Sequence, residues 1–215
     1  KPKDIVSGDF YWATSTGSAS NRKFYLAVCD STGHGVPGAF MSLLNIGFLS
    51  EAINEKGIEQ PGEIFNHVRN RLINSISKEG QQDGFDGILL CIDKENKTIT
   101  YSAANNAPIL VNNTGIQELS SNRMPVGKGI HEETFVTHTI NYSAGDKLYL
   151  YTDGFADQFG GPNGKKFKYR QLNELLLRIS DKSTSEQYDI LENQFINWKG
   201  NLEQVDDVLI IGIKL

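Results

Sequence analysis

Two clusters of helical pattern interrupt a chain that otherwise reads as short strands joined by short turns, and that order limits the fold more than any motif does. Residues 5–13 and 24–30, rich in β-branched and aromatic side chains, read as strands joined by a turn at Asn21-Arg22. A Gly-rich loop over 33–38 leads into 39–53, apolar on almost every face, which predicts a buried helix. Pro61 suits a first helical turn, and Ile64, Phe65, Val68, Leu72 and Ile76 then recur at helical spacing. Strands follow over 87–93, 98–103, 109–111, 135–140 and 147–152, with turns at 94–96, 112–115 and 143–145. Helices resume over 171–179 and 185–198, the second opening on the capping-box spacing Thr184-x-x-Gln187, and 208–213 closes as a strand. Strands linked by short turns pair antiparallel, and helices that come in pairs point to an α+β fold. The consistent arrangement is two central, mainly antiparallel sheets with helix pairs outside. No internal repeat, low-complexity stretch or Pro/Ser linker divides the chain, so 1–215 reads as one domain.

Composition narrows the function classes. Apolar residues at 39% and aromatics at 10%, with a formal net charge of only −5, support a sizeable core and argue against disorder. A pI near 5.4 argues against nucleic-acid binding, which needs clustered Lys and Arg. Cys29 and Cys91 sit in apolar strand-like runs and read as reduced core cysteines. No apolar run approaches the ~20 residues that span a bilayer, so no direct membrane contact is expected of this domain. The chain opens Lys1-Pro2-Lys3-Asp4 without an initiator Met or a signal-like apolar segment. It is therefore expected to be a piece of a longer protein.

The chemistry lies in aspartates placed where a buried sheet should not carry charge. Asp9 follows Val6-Ser7-Gly8, Asp30 ends the apolar run 25–29, Asp153 ends the run 148–152, and Asp206-Asp207 open the last strand. Any one of them could be a turn former or a helix N-cap. Four such sites together imply convergence, and carboxylates that converge repel unless a cation lies between them. Oxygen ligands without Cys or paired His select a hard ion such as Mg²⁺ or Mn²⁺ over Zn²⁺. The loop Asp30-Ser31-Thr32-Gly33-His34-Gly35-Val36-Pro37-Gly38 lets backbone approach an ion or phosphate closely. It is not a P-loop, because Ala39-Phe40 stands where Lys-Ser/Thr should follow.

Four segments carry a resemblance: Ser-Gly-Asp-Phe-Tyr-Trp (7–12), Asp-Ser-Thr-Gly-His-Gly-Val-Pro-Gly-Ala (30–39), Tyr-Thr-Asp-Gly-Phe-Ala-Asp-Gln (151–158) and Gln-Val-Asp-Asp-Val-Leu-Ile-Ile (204–211). In order, spacing and flanking strands the chain resembles the SpoIIE-like branch of the PPM metal-dependent serine/threonine protein phosphatases. The segment 103–108, Ala-Ala-Asn-Asn-Ala-Pro, also resembles one common in that branch. The resemblance implies an αββα four-layer sandwich with two Mn²⁺ or Mg²⁺ ions at one end of the sheets. Carried over by motif, Asp30 bridges the ions, the Ser31 carbonyl ligates one, Asp153 and Asp206 complete the other, and Asp9 binds directly or through water. Asp9 and Asp30 are thus both metal ligands and members of the catalytic group. A water activated by two divalent ions would then attack phosphorus in line, without a phosphoenzyme.

The resemblance also implies a phosphoserine or phosphothreonine on a partner signalling protein as substrate, often a STAS-type anti-sigma antagonist. It implies a bacterial, cytoplasmic output module, the C-terminal part of a signalling protein with a sensor domain upstream, whether or not that parent is membrane-anchored. His34, four residues past Asp30, is a candidate proton donor to the leaving group. Asp157 shares a face with Asp153 if a helical turn starts at Gly154, the spacing of a third, weaker metal site in the wider family. Asp83 and Asp86, in Asp-Gly-Phe-Asp-Gly, are further candidates for the same place. The basic run Lys165-Lys166-x-Lys168 reads either as solvated surface or as a flap attracting a phosphoprotein into an acidic cleft. Leu209 stands where the last motif commonly has Thr. The competing readings are a pseudophosphatase that only binds partners and a hydrolase of small phosphoesters.

Overall fold

Along β2 (Lys23–Ser31), Tyr25, Ala27 and Cys29 enter one core while Leu26 and Val28 enter another, so this strand is buried on both faces. That explains its near-continuous apolar run. The computed structural model describes residues 1–19, 21–75, 83–129 and 133–215. β2 pairs with β1 (Asp9–Thr16) on one side and β3 (Gly84–Asp93) on the other, and β3 pairs with β4 (Thr98–Ala104). After β5 (Ile109–Asn112), β6 (Gly115–Glu118) and β7 (Val126–Gly127), the strand β8 (His138–Asn141) completes the first sheet beside β4, while β7 pairs with β3. The second sheet runs β12-β9-β5-β6, with β9 (Lys147–Tyr151) central and β12 (Ile210–Lys214) closing the chain. Among the described residues every strand ladder in both sheets is antiparallel.

Helix α1 (Gly35–Ser50) runs on into a π-helical turn, Glu51–Glu55, and with α2 (Pro61–Ser75) covers the outer face of the first sheet. α4 (Tyr169–Ile179) and α5 (Thr184–Lys199) cover the second, after the single turn α3 (Gly154–Asp157) and the hairpin β10 (Phe159–Gly160) and β11 (Lys165–Lys166). Three apolar cores lie between four layers. The expected α+β sandwich is what forms, and Cys29 and Cys91 are free and buried.

Several expectations fail at their edges. The first strand starts at Asp9, not residue 5, because the Lys3 and Gly8 N–H groups donate to the Asp207 carboxylate instead of to a neighbouring strand. Strand β3 starts three residues earlier than its apolar run suggests, which moves Asp86 from a loop into the ladder. The cap of α5 is Ser183 with Glu186, one residue before the Thr184–Gln187 pair. The helix after the Gly-rich loop is not buried all round: Val36, Phe40 and Leu43 are exposed, since the first sheet and α2 cover only its other sides. Residues 35–55 form one continuous helix, long and apolar enough by length and composition alone to cross a membrane. Phe48, Leu49, Ala52 and Ile53 on that helix are packed into the first core. β6 and β7 were not expected, and Ile76 lies outside the described residues.

Candidate metal centre

Strand register places three carboxylates in one row. Asp9 lies opposite Asp30, and Asp30 lies opposite Asp86. Val28 and Ile88, two residues further along, face the core between the sheets, so the strand period points Asp30 and Asp86 to that same side at its open end. The second sheet delivers Asp153 just beyond β9. Thr152 beside it donates from Oγ1 to Asp9 Oδ2 at 2.6 Å and accepts from the Leu209 N–H at 3.0 Å, linking both sheets to the 206–209 segment.

Gly154 explains why an Asp-Gly pair stands here. A Cβ on it would lie 1.8 Å from the Asp207 carbonyl oxygen, so only glycine lets Asp153 come alongside Asp206 and Asp207. Gly154→Ala is expected to destabilise the fold by about 1–3 kcal/mol and to weaken metal binding by displacing Asp153. Chemical denaturation and Mn²⁺ titration check both; unchanged values would show that the backbone relaxes freely there.

The two neighbouring aspartates of the last motif part company. Asp207 is buried and accepts from the Lys3 and Gly8 N–H groups at 2.7 Å each, so both its oxygens fasten the chain start. Asp206 instead borders a cavity of about 240 Å³ together with Asp30, Ser31 and Asp86. Ser31 is buried, and its Oγ accepts from Asn45 Nδ2 at 3.0 Å, while Ser42 Oγ donates to the Gly8 carbonyl at 2.6 Å. These polar groups on an otherwise apolar α1 pin the loop that carries the Ser31 carbonyl.

The electrostatics are those of acids held together against their preference. Burial first, then Asp9, Asp153, Asp206 and Asp86, push Asp30 from 3.8 up to about 9. Asp9 rises to about 7 through burial, opposed by the Thr152 hydrogen bond and reinforced by Asp207, Asp206 and Asp153. Asp153 rises to about 6 through burial, Asp206, Asp157 and Asp86, with Lys166 opposing. Among the described residues none of Asp9, Asp30, Asp86, Asp153 or Asp206 has an ion-pair partner. An all-oxygen, mutually repelling donor set suits a hard divalent cation. Among the described residues no three acidic, His or Cys side chains are closed into a cage.

Two further expected residues have other partners. His34 is exposed, its Nδ1 2.9 Å from Asp4 Oδ2, and it does not border the cavity shared by Asp30, Asp86 and Asp206. Asp157 lies near enough to raise Asp153, yet its Oδ2 accepts from Lys166 Nζ at 2.8 Å. Asp83 precedes β3 and is not in the row that contains Asp86. Thr152 and Asn105, which donates from Nδ2 to Asp86 Oδ1 at 2.8 Å, were missed as site residues, since a hydroxyl and an amide at strand ends carry no sequence signal of their own.

Comparison with known proteins agrees with this fold. The family described as Stage II sporulation protein E (SpoIIE) matches residues 20–215. The SiaA-PP2C domain of Pseudomonas aeruginosa superposes with a TM-score of 0.89 at 26% identity, covering 100% of this chain and 83% of that one. The PP2C phosphatase domain of SpoIIE from Bacillus subtilis, solved with a fragment of its regulatory domain, gives 0.74 at 20% identity over 99% of this chain and 59% of that one. The catalytic domain of the serine/threonine phosphatase PstP, solved with two manganese ions, shares the fold at 14% identity, with a TM-score of 0.57 and coverage of 95% and 96%. No curated protein sequence matches. With a family match over most of its length, the chain belongs to the SpoIIE-like PPM protein phosphatases.

Proposed function

We propose that this domain is an active, metal-dependent phosphatase that removes phosphate from a serine or threonine of a partner signalling protein. The observation that carries the reading is the convergence of Asp9, Asp30, Asp153 and Asp206 from two sheets on one end of the sandwich with no cationic side chain paired to them. A module that only bound partners would have no use for that repulsion. Asp9, Asp30, the Ser31 carbonyl, Asp153 and Asp206 would hold two Mn²⁺ or Mg²⁺ ions, the number of manganese ions in the PstP structure. When bound, the ions supply an activated water and neutralise charge on the phosphoryl group. Thr152 orients Asp9, and Gly154 keeps Asp153 beside Asp206. A third ion at Asp153 and Asp157 would compete with Lys166 for the Asp157 carboxylate. His34 stays a candidate proton donor only if it is released from Asp4 and moves to the cavity it does not now border.

The β10–β11 hairpin carries Lys165 and Lys166, and Lys168 follows at the start of α4. Beside an acidic centre these cations favour an anionic phosphoprotein. The partner we favour is a phosphorylated STAS-type protein, presented to a domain that works under an upstream sensor. Binding energy from surfaces remote from the phosphate can raise the rate of the chemical step. A phosphoprotein should therefore exceed its isolated phosphopeptide in kcat/KM, and replacing Lys165, Lys166 and Lys168 by Gln should reduce phosphoprotein turnover mainly at low salt. Equal kcat/KM for protein and peptide would remove the docking argument. An unaltered salt profile in the triple variant would return the hairpin to ordinary surface.

A further inference from the structure

Resting on the metal centre just proposed, we infer that Asp86 is a fifth carboxylate of that centre and that Asn105 is the residue that positions it. Asp86 continues the row Asp9, Asp30 across the next strand, on the face that Ile88 and Leu90 turn toward the second sheet. It borders the same cavity as Asp30, Ser31 and Asp206. Its charge reaches the other acids, raising both Asp30 and Asp153.

The carboxylate is held on one side only. Asn105 Nδ2 donates to Oδ1 at 2.8 Å, and among the described residues no other side chain or N–H donates to Asp86. Asn105 is itself fixed: its backbone is left-handed, φ 58°, and its N–H donates to the Asn122 carbonyl at 2.8 Å. A left-handed asparagine at a strand end is tolerated because its short amide bonds locally. Here that amide leaves Oδ2 of Asp86 available. An outer amide that orients a ligating carboxylate is a common device of metal sites, and its loss typically lowers metal affinity about 10–100-fold.

The experiment is Mn²⁺ titration by calorimetry on wild type, Asp86→Asn, Asn105→Gly and Asp206→Asn, with the melting temperature of each metal-free protein. Asn105→Gly removes the amide while keeping a left-handed backbone at no steric cost. Asp86→Asn should bind Mn²⁺ at least about tenfold more weakly, and Asn105→Gly should weaken it in the same direction. The metal-free Asp86→Asn protein should melt at or above the wild-type temperature, since a buried like charge has been removed. Wild-type Mn²⁺ affinity in Asp86→Asn, while Asp206→Asn is impaired, would overturn the inference and leave the metal centre standing. A lower metal-free melting temperature with undiminished affinity would make Asp86–Asn105 a structural pair and overturn it too. Failure of the wild type to bind Mn²⁺ would overturn the metal centre itself, and this inference with it.

Discussion

Asp30→Asn and Asp206→Asn, assayed with Mn²⁺ on an aryl phosphate, should each lose turnover by about a thousandfold or more, with circular dichroism unchanged. A chelator should stop the wild type reversibly. Each variant removes one charge from a set that has no cationic side chain to replace it. The loss therefore falls on ion binding and on the charge that stabilises the transferring phosphoryl group. His34→Gln should separate from these two, slowing an alkyl phosphate more than an aryl phosphate whose leaving group needs no proton. A fully active Asp206→Asn protein would sink the metal assignment. Intact Mn²⁺ binding without turnover in the wild type would favour a partner-binding pseudophosphatase.

Mn²⁺ should also raise the melting temperature in a concentration-dependent way. Binding to the folded state alone contributes about 2.7 kcal/mol at one hundred times Kd, roughly 5–10 °C for a domain of this size. In the metal-free protein the raised carboxylates act with the opposite sign. Asp153, Asp9 and Asp30 keep their protons in the fold up to about 6, 7 and 9, whereas the unfolded chain releases them near 3.8. Between those limits the folded state binds more protons, so their contribution to stability is fullest below 3.8 and is lost as pH rises toward 9. Metal-free Asp30→Asn should accordingly match or exceed wild type at pH 8 while its Mn²⁺ response is blunted. Asp146 serves as the control, since its Oδ2 only accepts from the Ser143 N–H in a turn, and Asp146→Asn retains an acceptor. An identical Mn²⁺ shift in wild type and Asp30→Asn would place the ions elsewhere.

The layer order and the first four acidic positions were legible because they rest on periodicity and on charge in apolar runs. Asp30 interrupts the pattern 25–29 and Asp153 the pattern 148–152, and each break coincides with the open end of a sheet. Asp86 was harder to place, because Gly84 and Gly87 make the start of β3 read as a turn. Only the ladders with β2 and β7, which need glycine at Gly87 and Gly84 respectively for close backbone approach, show it as strand. The distinct roles of Asp206 and Asp207 were illegible for another reason: they depend on Lys3 and Gly8, about two hundred residues away in sequence. The exposed Val36, Phe40 and Leu43 mark the limit of reading burial from composition, since an all-apolar helix still has an outer side.

Thr152 spans the two sheets through a hydroxyl that donates to one and accepts from the chain entering the other. On the ligand set proposed here, Asp9 and Asp30 belong to one layer, and Asp153 and Asp206 to the segments that lead out of and into the other. The spacing of the layers is then a catalytic dimension in its own right. A misplacement of about 1 Å can cost about a hundredfold in rate. Ordinary core packing between the sheets, about 10 Å filled largely by leucine, isoleucine and valine with no chemistry of their own, sets the gauge to which the acidic end is built.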